Sequence, residues 1–154
     1  MTSSTLRRRV TMAATAVLAA ACSSPEDVLS FDPLNFQEQT GIVFVRQNET
    51  PTAVMEALFE GRVIADAAGC LRFDSPDPAT VVWPKGFTMV RSGNEMLVRD
   101  PAGRAIGRVG GTFRLGGGEV SSLEGAAMSA ADQQRAATHC PGRYWIVGDV
   151  PQAS

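Results

Sequence analysis

The stretch that decides the fold is Thr80 to Gly118, TVVWPKGFTMVRSGNEMLVRDPAGRAIGRVGGTFRLGGG. Short apolar or alternating runs (VVW, FTMV, MLV, AIGRV, TFRL) are separated by turn chemistry at every gap. Trp83-Pro84-Lys85-Gly86 and Asp100-Pro101-Ala102-Gly103 place Pro second and Gly fourth, the pattern of a type I turn. Ser92-Gly93-Asn94 and Gly110-Gly111 supply residues that tolerate the positive φ of tight hairpins. Strands at this spacing predict an all-β domain, an antiparallel meander closing into a small barrel or sandwich, of which a small antiparallel β-barrel is the reading adopted.

Working towards the N-terminus, Cys70-Leu71-Arg72-Phe73 follows an Asp66-Ala67-Ala68-Gly69 turn, with Leu71 and Phe73 on one strand face and Cys70 and Arg72 on the other. LFEGRVIA from Leu58 alternates, and the glycine inside it, Gly61, suggests a bulge. Thr52 to Leu58 reads as a short helix or as the lead-in to that strand. Gly41 to Arg46 is a β-branched and aromatic run that predicts a first strand. Towards the C-terminus, the Ala-rich segment after Glu119 breaks the pattern. Ser129 with Asp132 three residues on supports a helix over about Ala130 to Thr138, with Met128, Ala131 and Arg135 on one side; a loose flap is the alternative. RYWIVGDV then supplies a final strand that completes the sheet.

The chain's beginning is of a different kind. Arg7-Arg8-Arg9 precede Val10 to Ala21, an apolar, uncharged stretch shorter than the roughly 20 residues that span a bilayer as a helix. This fits a secretory signal over residues 1–21, with the export route, general or twin-arginine, left open. Leu18-Ala19-Ala20-Ala21-Cys22 resembles the lipobox of bacterial lipoproteins, although Ala19 stands where that box more often has Leu. The resemblance implies that Cys22 is lipidated and fixes the chain to a bacterial cell membrane or outer membrane. Residues 22–39 then form a polar tether, 40–150 the barrel domain and 151–154 a tail.

Removing Arg7, Arg8 and Arg9 from 14 basic side chains leaves 11 against 16 acidic, a formal net charge of −5. An acidic domain is a poor partner for phosphate backbones, so no nucleic acid is expected. With Cys22 taken by lipid, Cys70 and Cys140 remain as an even pair in an oxidising compartment, and a disulfide is the natural reading. His139 is the only histidine, and no set of metal ligands stands at a familiar spacing. No metal and no cofactor are expected.

The motifs GCLRF, VVWPKGF, RVGGTFRLGGGE and CPGRYWIVG, in that order, resemble a group of small bacterial exported or lipid-anchored proteins without an assigned activity. The resemblance spans roughly Phe59 to Val150. It implies one β-rich extracytoplasmic domain of OB-like type and carries over no catalytic residues.

Neither a G-x-S-x-G elbow nor a P-loop occurs. Glu60, Asp74, Glu95 and Glu119 are strand-borne acids that a small glycan-active hydrolase would have to assemble in space. Solvated strand faces account for them better. Trp83, Phe87, Phe113, Tyr144 and Trp145 are either core or a stacking platform for sugars or bases. Tyr144 and Trp145 are adjacent and point to opposite faces of a regular strand, so one exposed ring is expected. Trp83, Tyr144 and Trp145 are therefore the candidate binding surface of a non-enzymatic module, its ligand an envelope protein or a glycan. An oligonucleotide-binding module is the further alternative.

Overall fold

The computed structural model describes residues 36–37, 41–53 and 55–150. The signal segment, Cys22 and most of the tether lie outside the described residues. Five strands close into a barrel: β3 (Ala57–Ala65), β4 (Leu71–Phe73), β5 (Thr80–Val82), β9 (Thr112–Val120) and β10 (Tyr144–Asp149). The first three form an antiparallel meander, and β9 returns to lie beside β3, which makes a Greek key. The last strand closes the ring between β9 and β5, giving the OB-like connectivity.

One part of the expected all-antiparallel barrel is corrected: β10 runs parallel to β5, with Tyr144 opposite Thr80 and Ile146 opposite Val82. The reason is parity. A ring of five strands cannot alternate direction all the way round, so one neighbouring pair must run the same way. The expected meander is also split. Within Thr80–Gly118, β6 (Thr88–Ser92), β7 (Glu95–Arg99) and β8 (Ala105–Arg108) form their own three-stranded sheet, while β5 and β9 belong to the barrel.

The turns follow the sequence closely. Gly93 at φ 59 begins the two-residue β6–β7 hairpin, the position where a type II′ turn requires positive φ. The two Asp-x-Ala-Gly turns are built alike. Oδ1 of Asp66 accepts the amides of Ala68 and Cys70, each at 2.9 Å, while Oδ2 takes Arg72 Nε at 2.7 Å. Asp100 does the same with Ala102, Arg104 and the Arg104 guanidinium. Gly61, in contrast, makes no bulge: the β3–β9 register is continuous from Ala57 to Arg62. The Phe59 ring folds over Gly61, where a Cβ would approach it to 2.7 Å. Among the described pairings the register shifts lie in β10, between Val147 and Asp149, and in β7, between Val98 and Arg99.

Two cores share the barrel wall. Inside lie Leu71, Phe73, Val81, Trp83, Phe113, Leu115, Trp145 and Val147, continued by Phe87, Met89 and Val98 under the three-stranded sheet. Outside, Cys70, Val82, Tyr144 and Ile146 face Leu123, Met128, Ala136 and Cys140. The period of two is strict along β10, where Tyr144 and Ile146 point outwards and Trp145 and Val147 inwards. Helix α1 (Ala130–His139) covers the outer face, with Ser129 accepting the amide of Asp132 as N-cap. Its buried side is Asp132 and Ala136, in line with Met128 before it and Cys140 after it, not the Met128–Ala131–Arg135 stripe expected. Steps of four keep those residues on one face.

The segment after β1 (Phe36–Gln37) and β2 (Ile42–Val43) seals the same face. Val43 bridges to Cys70 and Arg46 to Trp83, both parallel. Of the Thr52–Leu58 stretch, Ala57 and Leu58 already belong to β3, and the described residues before them are not helical. Cys70 and Cys140 are disulfide-bonded, fully buried and 70 residues apart. The bond joins the start of β4 to the C-cap of α1. Replacing both cysteines with alanine lowers stability by about 4 kcal/mol, because a loop of this length regains its entropy in the unfolded chain. A guanidinium midpoint measures this loss; an unchanged midpoint would contradict the assigned role.

Candidate binding site

The aromatic surface does not form. Trp83 is fully buried, stacked on Phe44 with ring centroids 5.5 Å apart and tilted against Phe113 at 5.6 Å. Trp145 packs edge-on to Phe73 at 5.5 Å. Tyr144 does point to the opposite side of β10, but α1 and the disulfide cover it there, and burial raises its phenol pKa. Both faces of β10 are thus interior, so the expectation of an exposed ring is corrected.

The four strand-borne acids each meet an arginine. Glu60 lies 3.9 Å from Arg114, Asp74 3.4 Å from Arg62 and Glu95 2.5 Å from Arg108, while Glu119 pairs with Arg143, which also holds Asp77. His139 is exposed at the last position of α1. Among the described residues, no three His, Cys, Asp or Glu side chains converge as metal ligands do.

What sequence reasoning missed lies at the end of the first apolar run. After Val45 the chain turns polar, and Arg46, Gln47 and Asn48 face the Pro84–Phe87 turn. Backbone bonds fix this juxtaposition: Trp83 N donates to Val45 O and Gln47 N to Trp83 O, each at 2.9 Å. Between them is a pocket of about 320 Å³ lined by Arg46, Gln47, Asn48, Lys85 and Gly86. That volume is at the small end of ligand sites. A second hollow of about 230 Å³ lies on the other side of Gln47, with Pro51, Ala53, Met55, Val120 and Ile146 in its wall.

Each lining side chain is held from behind. Arg46 Nη1 donates to Phe87 O at 2.9 Å, and the fully buried Gln47 donates through Nε2 to Val147 O at 3.0 Å. Asn48 Nδ2 donates to Asp132 Oδ2 at 2.8 Å, while the Asn48 and Glu49 amides both reach Ala127 O. This leaves the buried acceptors Gln47 Oε1 and Asn48 Oδ1 without a hydrogen-bond partner among the described residues. Unsatisfied buried acceptors are uncommon, and each costs free energy until something donates to it. Neither Arg46 nor Lys85 meets a carboxylate among the described residues. The signals available in the sequence were the break from apolar to polar after Val45 and the chain's sole lysine, set in a Pro-Lys-Gly turn.

Comparison with protein-family models, curated proteins and solved structures finds no match to this chain.

Asp132 ties the pocket's Asn48 to the helix. Its carboxyl is held below the ordinary value of 3.8 by the Ser129 hydroxyl, against the opposing effect of burial, and further by Arg135 and Asn48. A lowered native pKa stabilises the fold fully above the unfolded value, and that contribution is lost as pH falls through the native one. Asp132→Asn should therefore cost about 1–3 kcal/mol at neutral pH and flatten the loss of stability below about pH 4. Urea midpoints from pH 7 to pH 3 test this, and parallel wild-type and variant curves would contradict it.

Proposed function

We propose that this chain is an exported binding module, held at the bacterial envelope through lipid on Cys22, whose barrel is a rigid frame for the pocket at Arg46, Gln47, Asn48 and Lys85. The observation that carries the reading is the buried Cys70–Cys140 bond, which belongs in an oxidising compartment and locks the covering helix to the barrel. It agrees with the basic and apolar N-terminal segment that ends in a lipobox-like Cys22. The resemblance to small exported proteins of unassigned activity points the same way.

Binding fits the site better than hydrolysis. Glycoside hydrolysis needs a carboxylic acid whose pKa is raised. Among the described residues the two carboxyls with altered pKa are lowered, and both do structural work. At Asp100 the raising effect of burial is outweighed by Arg104 and the turn amides, and Asp132 caps α1. Oligonucleotide binding is disfavoured by the outer β4–β5 face. OB-type barrels offer that surface to nucleic acid, whereas here residues 42–47 and α1 lie over it.

Metabolic labelling with a clickable fatty acid in a bacterial host tests the anchor. The wild-type chain should take up label and sediment with membranes, and Cys22→Ser should do neither. Label retained by the variant, or absent from the wild type, would overturn the anchored reading.

A further inference from the structure

We propose that the acidic segment ahead of β1, residues 26–35, docks as a strap on the outward face of the β6–β7–β8 sheet, with its carboxylates against Arg99 and Arg108 and its apolar side chains over Val90 and Leu97. The inference goes beyond the pocket reading and does not depend on lipid at Cys22.

Three observations carry it. The first is the character of that face. Met89 pairs with Val98 across β6 and β7, and both enter the inner core, so the next pair along, Val90 and Leu97, points away from it. Arg99 and Arg108 share this outward side through their pairings with Thr88 and Leu97. Val90 is only 3 % exposed, although it sits in an edge strand and belongs to neither core described above. An apolar side chain shielded on the outward side of an edge strand marks a face that is covered rather than solvated.

The second is charge. Of the formal −5 that follows Arg9, residues 22–39 hold −4, as Glu26, Asp27, Asp32 and Glu38 with no basic residue among them. The domain from 40 to 150 is nearly neutral, with 11 basic against 12 acidic side chains. Within it, residues 88–108 carry four arginines against two acids. Glu95 holds Arg108 and Asp100 holds Arg104, which leaves the sheet net positive and complementary to the segment. The third is reach. Phe36 pairs with Val43 and Gln37 with Ile42, and Ile42 lines a hollow with Arg91, Asn94 and Met96. The chain ahead of Phe36 is thus delivered to the β6–β7 hairpin. Ten residues, 26–35, reach about 33 Å when extended, about twice the length of a five-residue strand. Val28, Leu29, Phe31 and Leu34 are interleaved with the acids, so the segment offers apolar cover as well as charge. Being part of the same chain, it is present at the sheet at an effective concentration on the order of millimolar, ahead of a free partner.

The test is limited proteolysis of the full chain in detergent with chymotrypsin, which cuts after Phe31 and the neighbouring leucines, read by mass spectrometry. Docking should protect these bonds. Reversing the segment's charge with Glu26→Lys, Asp27→Lys and Asp32→Lys together should speed cleavage about tenfold and leave the thermal midpoint of the barrel domain unchanged. Arg99→Glu with Arg108→Glu should speed it similarly. Combining the two sets should return cleavage to near the wild-type rate, because the reversed charges attract as the native ones do. A strap on its own chain protects equally at every protein concentration. Equal cleavage of the wild type and the charge-reversed segment, or no rescue in the combined variant, would overturn the proposal. Protection that grows with protein concentration would overturn it too, by assigning the face to a second copy. Fatty-acid labelling reads the anchor separately, so failure here leaves the envelope reading standing.

Discussion

Five is an odd number, and that constrains this molecule more than any single contact. An antiparallel ring needs an even count, so the barrel has one parallel joint, between β5 and β10. The register there is short, Thr80 to Val82 against Tyr144 to Ile146. Thr80 N also donates to Arg143 O at 2.8 Å just before the strand begins, and Arg143 clamps Asp77 and Glu119 on either side. Closing the ring removes the exposed edges that an open five-stranded sheet would carry. It also places Trp145 and Val147 inside, where they complete a core begun by Leu71, Phe73 and Val81.

The outer wall at that joint is apolar, so it needs a lid. Val82, Tyr144, Ile146 and Cys70 would face water if α1 and the Val43–Val45 segment were absent. The disulfide, the Ser129 cap and the Asp132–Asn48 bond together hold the lid in place. The lid covers the β4–β5 face and leaves the polar pocket at its margin, where the chain passes from Val45 into Arg46 and Gln47. Gln47 spans the two regions, its amide donating to the carbonyl of Val147 in the closing strand. The pocket therefore inherits the rigidity of the joint.

Local chemistry was legible in the sequence and distant pairing was not. Pro-x-Gly and Asp-x-Ala-Gly turns, the Gly93-Asn94 hairpin, the Ser129 cap and the Leu71/Phe73 alternation are each decided within a few residues, and they appear where the residues put them. The parallel joint links positions 64 apart in the chain, and neither strand carries a mark of its partner. The exposed ring expected at Tyr144 or Trp145 failed for the same reason. Alternation says which side chains point apart, while only tertiary structure says that both sides are covered. The glycine in β3 was read as a bulge because Gly61 lacks a side chain, yet its use is to receive the ring of Phe59. The pocket was the least legible feature, since Gln47 reaches Lys85 only through backbone pairing with Trp83.

Native-state hydrogen exchange of the β5 and β10 amides tests the central claim most directly. If the parallel joint closes the barrel, the amide of Thr80, which donates to Arg143 O, and the alternate β5 and β10 amides that point into the joint exchange only by global unfolding, with the same denaturant dependence as those of β3 and β9. Exchange of the β10 amides through a separate, lower-energy opening, while β3 and β9 stay protected, would mean that the ring stands without that joint and would contradict the account.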